Sequence, residues 1–330
     1  MAANGHSGKV LHARLSDISM LASTLRAVHF SSFARITLSA SGIEVVTEAN
    51  HIVQGTDSQV FLHAAHAYLY ASIFDRYSFH APENWLSLEQ QRNEELDPDE
   101  SLTPCVAFEI NLKVLVSCFA VFESRVSAPS SRPSARFSAE PMNYIDIVYE
   151  KVGEPLCLHM QNGRLETSFR LRTLDSPLTS ELTFNPDQTT AQVIMKSAQL
   201  APAFQELSSS GESQLQLAFT PASHALSASF QLTTEGHYGS TEIEFPYDQV
   251  ITEKFVCLEP IRHGYPIECV GYMVPALRHS LKTSLRTDTH GMLSVQFMIT
   301  GARTASRPHS VSESGNAFVD FLCCPLDSRL

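Results

Sequence analysis

The sequence predicts an α+β fold made of two repeated domains, each with two helices packed on antiparallel sheet. Three observations carry that prediction. An apolar stripe with spacings of three, four and three residues runs through Ile18, Leu21, Leu25 and Val28 and returns in Leu112, Leu115, Phe119 and Phe122. That spacing is one face of an α-helix. Most of the remaining chain alternates apolar and polar residues, the period of a half-buried strand. The order strand, helix, several strands, helix, several strands then occurs twice, and an internal duplication of this kind speaks to fold before it speaks to function.

Composition sets the outer bounds. With 330 residues and 43% apolar side chains, the chain can bury a sizeable core and divides most naturally in two. The expected boundaries are 1–172 for the N-terminal domain, 173–190 for a connector and 191–330 for the C-terminal domain. No apolar run reaches membrane-spanning length. The opening MAANGHSGK lacks the apolar core of a signal peptide, so an intracellular chain is expected. Seven scattered cysteines, with no Cys-x-x-Cys pair, read as reduced thiols. A formal charge of −12 argues against coating nucleic acid with the whole surface, and leaves room for a local basic patch.

Each element has its own justification. Leu15–Phe30 reads as the first helix, with Ser16 placed to cap it and Leu15 and Met20 placed to staple the entering chain. Its other face carries Ser19, Ser23 and Arg26 and is mild and sparsely charged. Arg35–Ala40 and Gly42–Glu48 alternate across a Ser-Gly turn, a hairpin signature, and Val60–Phe79 continues in extended, aromatic-rich segments. From 81 to 104 the acids Glu89, Glu94, Glu95, Asp97, Asp99 and Glu100 crowd a run with few apolar anchors, which reads as a solvated insertion. Cys105–Ile110 is a strand, and Asn111 caps the second helix. The stretch 123–141, rich in Ser, Pro and Arg with Arg125, Arg132 and Arg136, is expected as a loop. Tyr144–Tyr149, Pro155–Gln161 and Arg164–Arg172 read as strands, the last two joined at Asn162-Gly163, a strong hairpin signal.

After the connector, with its Pro177 and Pro186, the order restarts. Gln192–Lys196 is a strand, and Leu200, Ala203 and Leu207 mark a short helix with Pro202 in its tolerated first turn. Gln214–Phe219, Ala225–Thr233 and Gly239–Phe245 are strands, and Lys254–Leu258 and Ile267–Val270 extend the sheet. A fourth helix, Tyr272–Lys282, is expected on Val274, Leu277 and Leu281, with Pro275 near its start. Ser284–Asp288, Met292–Thr300 and Ala317–Cys323 close the chain as strands.

Signatures of catalysis are sparse. The sequence holds no Gly-rich phosphate loop, no Gly-x-Ser-x-Gly elbow and no His-Glu-x-x-His helix. His63 and His66 lie in a predicted strand, on opposite faces and unsuited to one metal. Cys323 and Cys324 likewise alternate and read as packing. A two-metal nuclease needs several carboxylates converging on its ions; Glu94–Glu100 falls in the expected insertion, and Asp146 and Glu150 are too far apart along a strand. No cofactor is expected. The cations are more suggestive, since Arg26 and Lys282 both stand eight residues along from the first stripe residue of their helices, with Arg278 and His279 nearby. Lys113 opens the polar side of the second helix. Such a sparse lining can meet phosphates without reading bases, although ordinary solvated helix faces look the same.

Four runs carry a family resemblance: LSDISMLASTLRAVHF, ARITLSASGIEVVTE, FEINLKVLVSCFAVF, and SLRTDTHGMLSVQFMI together with FVDFLCCP. They resemble the PCNA-like sliding clamps over roughly Lys9–Asp327. The Thr-Asp-x-x-Gly turn and the Cys-Cys-Pro ending are similar to the 9-1-1 checkpoint clamp rather than to the replicative one. The resemblance implies a sliding-clamp (DNA clamp) fold and a ring of six similar domains, two per subunit, with helices around a central hole. It implies a non-enzymatic, nuclear subunit of a heterotrimer with the two other 9-1-1 subunits. An ATP-driven clamp loader would place it on damaged double-stranded DNA, independent of sequence, as a platform for checkpoint and repair proteins. The lumen residues would be Arg26, Lys113, Arg278 and Lys282, with Arg14 and Lys196. The ring would close through edge strands at Arg164–Arg172, with Phe169 and Leu171, and at Gly239–Phe245, with Ile243 and Phe245. The alternatives are a 3′–5′ exonuclease, an activity credited to this family, a homotrimeric replicative-type clamp, or a self-associating β-rich scaffold.

Overall fold

A computed structural model of the chain describes residues 8–53, 59–83, 103–126, 144–162, 165–176, 182–223, 227–236, 239–300 and 316–326. Among the described residues, alternating sequence becomes eighteen strands in three antiparallel sheets, and the apolar stripes become four helices that cover them. The first sheet has the order β5 (Arg76–Phe79), β1 (Leu11–Leu15), β7 (Tyr144–Tyr149), β8 (Leu156–Asn162), β9 (Leu165–Leu171). The second has nine strands. It begins with β14 (Thr252–Cys257), β10 (Thr189–Lys196), β16 (Ser280–Asp288), β17 (Leu293–Thr300) and β18 (Asn316–Cys323), then crosses into β4 (Gln59–Tyr70), β3 (Gly42–Val53), β2 (Phe33–Ser39) and β6 (Cys105–Asn111). The third runs β13 (Gly239–Pro246), β12 (Ser229–Gly236), β11 (Gln214–Thr220), β15 (Ile261–Pro266).

The helices α1 (Ser19–Ala27), α2 (Leu112–Val126), α3 (Ser197–Ser209) and α4 (Glu268–His279) form one layer in the order α2, α1, α4, α3. Both stripes that define the repeat are buried, Ile18, Leu21, Leu25 and Val28 together with Leu112, Leu115, Phe119 and Phe122. They join one continuous apolar core with the inward residues of the sheets, so burial of these faces drives the packing of helix on sheet. Where the halves meet, Phe30 stacks on Tyr272 of α4 at 4.7 Å, and Phe321 of β18 lies 6.1 Å from Phe30.

Several local expectations are corrected. Leu15 ends β1, a short strand whose Leu11, Ala13 and Leu15 are buried in alternation, and α1 starts only at Ser19. Ser16 does not cap it. The Ser16 N–H donates to Asp75 Oδ2 at 2.6 Å, as does its hydroxyl, while the Ser19 N–H goes to Asp17 Oδ1 at 2.9 Å. Asn111 does cap α2, accepting the Val114 N–H at 3.0 Å. That helix runs on to Val126, into the stretch expected as loop from Glu123.

In the second half, Pro202 and Pro275 lie inside α3 and α4 rather than in their first turns. Each removes one backbone bond, and the buried Leu200, Phe204 and Leu207 of α3, or Met273 and Leu277 of α4, hold the helix regardless. Ile267–Val270 is not a strand. Ile267, Val270, Met273 and Leu277 are buried at helical spacing and open α4, while β15 precedes them. That helix stops at His279, so Lys282 belongs to β16 and Leu281 is 56% exposed.

The connector is tied down by reciprocal backbone bonds of 2.9 Å between Leu174 and Glu109. It ends in a turn at Pro186–Gln188, and Thr189 and Thr190 already belong to β10. The β8–β9 hairpin pairs Asn162 with Leu165. The acidic run Glu94–Glu100, Arg132 and Arg136 lie outside the described residues.

Candidate nucleic-acid interface

The helix layer turns one face to the core and the other outward, and the outward face is small and lightly charged. On α2 it shows Lys113, Val114, Ser117, Ala120 and Val121; on α3, Ala198, Gln199, Gln205 and Glu206; on α4, Glu268, Gly271, Arg278 and His279. Arg278 stands in the last turn of α4, where a cation favourably meets the negative end of the helix dipole. Among the described residues, Lys113 and Arg278 have no ion-pair partner. Lys196 is exposed where β10 hands over to α3.

The structure does not bring all six expected cations to this face as free charges. Arg26 of α1 is bound by both carboxylate oxygens of Glu123 on α2, its Nη1 lying 3.2 Å from Oε1. Lys282 sits on β16 and pairs with Glu253 at 2.8 Å. Arg14 shares neither the helices nor their face. With Leu11, Ala13 and Leu15 buried beneath it, Arg14 stands on the opposite side of the first sheet, where its Nε and Nη2 both reach Asp146 at 2.6 Å and its guanidinium lies 4.1 Å over the Tyr144 ring. Burial of Asp146 would raise its pKa, but the bonds and charge of Arg14, with His12 3.4 Å away, hold the carboxyl below its ordinary value.

The expected edges have a clear geometry. β9 ends the first sheet and β13 ends the third. Phe169, Leu171, Ile243 and Phe245 point inward and pack against the core, so a neighbour would meet the edge backbone and the outward Glu166, Ser168, Arg170, Ser240, Glu242 and Glu244 instead. The strands expected as edges do end sheets, and the four residues expected on them are the inward set. Strict alternation along each strand was the signal that separates the two.

A groove of about 440 Å³ lies between the connector at Leu182–Pro186 and the outer face of the nine-stranded sheet. Its walls include Tyr68, Tyr70, Phe184 and Phe318, and its floor holds two ionic clusters. Glu44 bonds His66 Nδ1 at 3.1 Å. Asp320 accepts from Ser294 at 2.8 Å and from Arg286 at 3.3 Å, and Arg286 also lies 4.8 Å over the Phe184 ring. Burial raises the Asp320 pKa against the opposing pull of those partners. Among the described residues, no group of three or more His, Cys, Asp or Glu side chains is arranged to hold a metal ion.

Comparison with known proteins gives a consistent result. The sequence profile of the family described as "Repair protein Rad1/Rec1/Rad17" matches residues 10–299. The human protein "Cell cycle checkpoint protein RAD1" is 28% identical over 316 residues, covering 96% of this chain and 91% of its own. "DNA repair exonuclease REC1" of Mycosarcoma maydis is 24% identical over 464 aligned positions, covering 99% and 98%. The crystal structure of proliferating cellular nuclear antigen from Entamoeba histolytica matches with a TM-score of 0.65 at 12% identity, over 97% of this chain and all of that one.

Proposed function

From the premise that this chain belongs to the Rad1/Rec1/Rad17 repair-protein family and has the PCNA-like sliding-clamp fold, we propose that it is a non-enzymatic subunit of a heterotrimeric checkpoint clamp that encircles DNA. The observation that carries this reading is the continuous helix layer with its mild outward face, joined in one chain to sheets whose end strands include β9 and β13. Encirclement rather than tight binding holds such a ring on a duplex, so a few cations suffice; Lys113 and Arg278 are the principal lumen contacts, with Lys196 beside them. Arg26 and Lys282 contribute less because their charges are paired. An ATP-driven loader places the ring at damaged DNA in the nucleus. The groove beneath the connector, with aromatic walls and a buried His66 Nε2 that has no hydrogen-bond partner, suits it to receive segments of checkpoint and repair proteins.

Two measurements test the reading. The chain is purified alone and with the two other subunits of a 9-1-1 clamp, and the masses are determined: a one-to-one-to-one trimer is expected, whereas a discrete homotrimer of this chain points to a replicative-type ring. Reversing Lys113 and Arg278 to Glu together is expected to shorten retention on closed circular DNA while the trimer stays intact. The slope of log affinity against log salt should fall by about 2, one per phosphate contact removed. Unchanged retention removes the lumen assignment.

An exonuclease reading takes its support from the printed name of the Mycosarcoma maydis relative. Divalent-metal-dependent release of 3′ nucleotides that co-purifies with the chain, and disappears on substitution of particular carboxylates, would favour it over the clamp reading.

A further inference from the structure

The chain contains, within itself, a junction of the kind that β9 and β13 can form. β18 of the second half pairs antiparallel with β4 of the first, setting Phe318 opposite Tyr68, Asp320 opposite His66 and Phe321 opposite Ala65. The ladders show that β9 holds in the first half the place that β18 holds in the second. Ala13 leads through Ile147 and Leu158 to Phe169, and Val193 leads through Leu285 and Val295 to Phe321. By the same reasoning β13 corresponds to β4, since Ile36 leads through Val45 to Ala67 and Leu217 leads through Leu232 to Ile243. β18 and β4 are joined, whereas β9 and β13 each end a sheet, and an open edge is a template for another strand.

With Ala13 set on Val193 and Ile36 on Leu217, all four buried and inward-facing, the inner register gives the residues that would meet if one copy's β9 paired with another copy's β13. Phe321 opposite Ala65 becomes Phe169 opposite Thr241. On the outward face, Asp320 opposite His66 becomes Ser168 opposite Glu242, and Phe318 opposite Tyr68 becomes Glu166 opposite Glu244. The inner junction therefore sets a carboxylate against a histidine and a ring against a ring, with Tyr70 also 6.2 Å from Phe318. The outer one sets carboxylate against carboxylate at Glu166 and Glu244, with Glu242 diagonal both to Glu166 and to Arg170. All three glutamates are exposed, and like charges directly opposite across a ladder destabilise the pair.

We propose that Glu244, seconded by Glu242, is a selectivity element: the β13 edge rejects β9 of a second copy and accepts the edge strand of a different chain that carries Lys or Arg where this one has Glu166. This rests on the clamp reading above. The test is self-association by sedimentation at low salt for the wild-type chain, Glu244→Lys, Glu166→Lys, and the double variant. Either single variant places Lys opposite Glu and is expected to tighten self-association about tenfold, equivalent to about 1.4 kcal/mol, with the gain fading at high salt. The double variant places Lys opposite Lys and is expected to return to the weak wild-type level. Single variants that fold, by an unchanged urea midpoint, yet associate no more tightly overturn the charge proposal and leave the clamp reading standing. A wild-type chain that forms a tight homotrimer overturns both.

Discussion

At the scale of single residues, the two carboxylates of Asp146 and Asp320 respond to pH in opposite senses. Asp146 is held below its ordinary pKa by Arg14 and His12, once their pull has outweighed the cost of burial. Its contribution to stability is thus present above the ordinary carboxylate range and is lost as pH falls through the lowered folded value. Asp320 is raised, chiefly by burial, so its contribution is fullest below the unfolded value and is lost as pH rises through the folded one. The expected outcome for Asp146→Asn is a loss of about 1–3 kcal/mol at neutral pH, because a half-buried bidentate partner of Arg14 is removed. In urea titrations that deficit should shrink towards zero as the pH drops below the carboxylate range. A deficit that stays constant with pH would mean the pair contributes by packing and not by charge.

At the scale of elements, the turn between β16 and β17 shows what the Thr-Asp-x-x-Gly run is for. Asp288 Oδ1 accepts the N–H groups of His290 at 2.9 Å and Met292 at 2.8 Å, and Gly291 sits at φ +78°. A Cβ on Gly291 would lie 2.9 Å from His263 Nδ1, and the Gly291 carbonyl already takes the buried Tyr265 hydroxyl at 2.7 Å. Gly291→Ala is therefore expected to cost at least about 1–2 kcal/mol, the penalty of a left-handed backbone for an L residue, measured as a lowered urea midpoint with an unchanged slope. Much of this level was legible in the sequence. The paired stripes, the Asn111 cap and the β2–β3 hairpin depend on neighbours along the chain, and each is present as read. The misreadings occur where two periods overlap or where a partner is distant. β1 hides against the start of the α1 stripe. Leu281 continues a helical spacing two residues past the end of α4, and carried Lys282 onto a helix it does not occupy. Arg26 looked free because Glu123 lies 97 positions away, and no local pattern reports such a pair.

At the scale of the whole molecule, one sheet crosses the boundary between the halves, and one apolar core underlies both. Separating the halves would break the β18–β4 ladder and expose the Phe30, Tyr272 and Phe321 contact. Equilibrium unfolding should accordingly be a single transition, with fluorescence and far-UV circular dichroism coincident across the urea range; two resolved steps would mean that the halves are separable folding units. The nine-stranded sheet also has a mechanical consequence. Among the described residues it runs unbroken across the middle of the chain, so in the proposed ring the compliance would be concentrated where one chain's edge strand meets the next. On the proposed clamp reading, a loader that opened such a ring would pull on those seams, and the seam with the least favourable contacts would set where the gap appears.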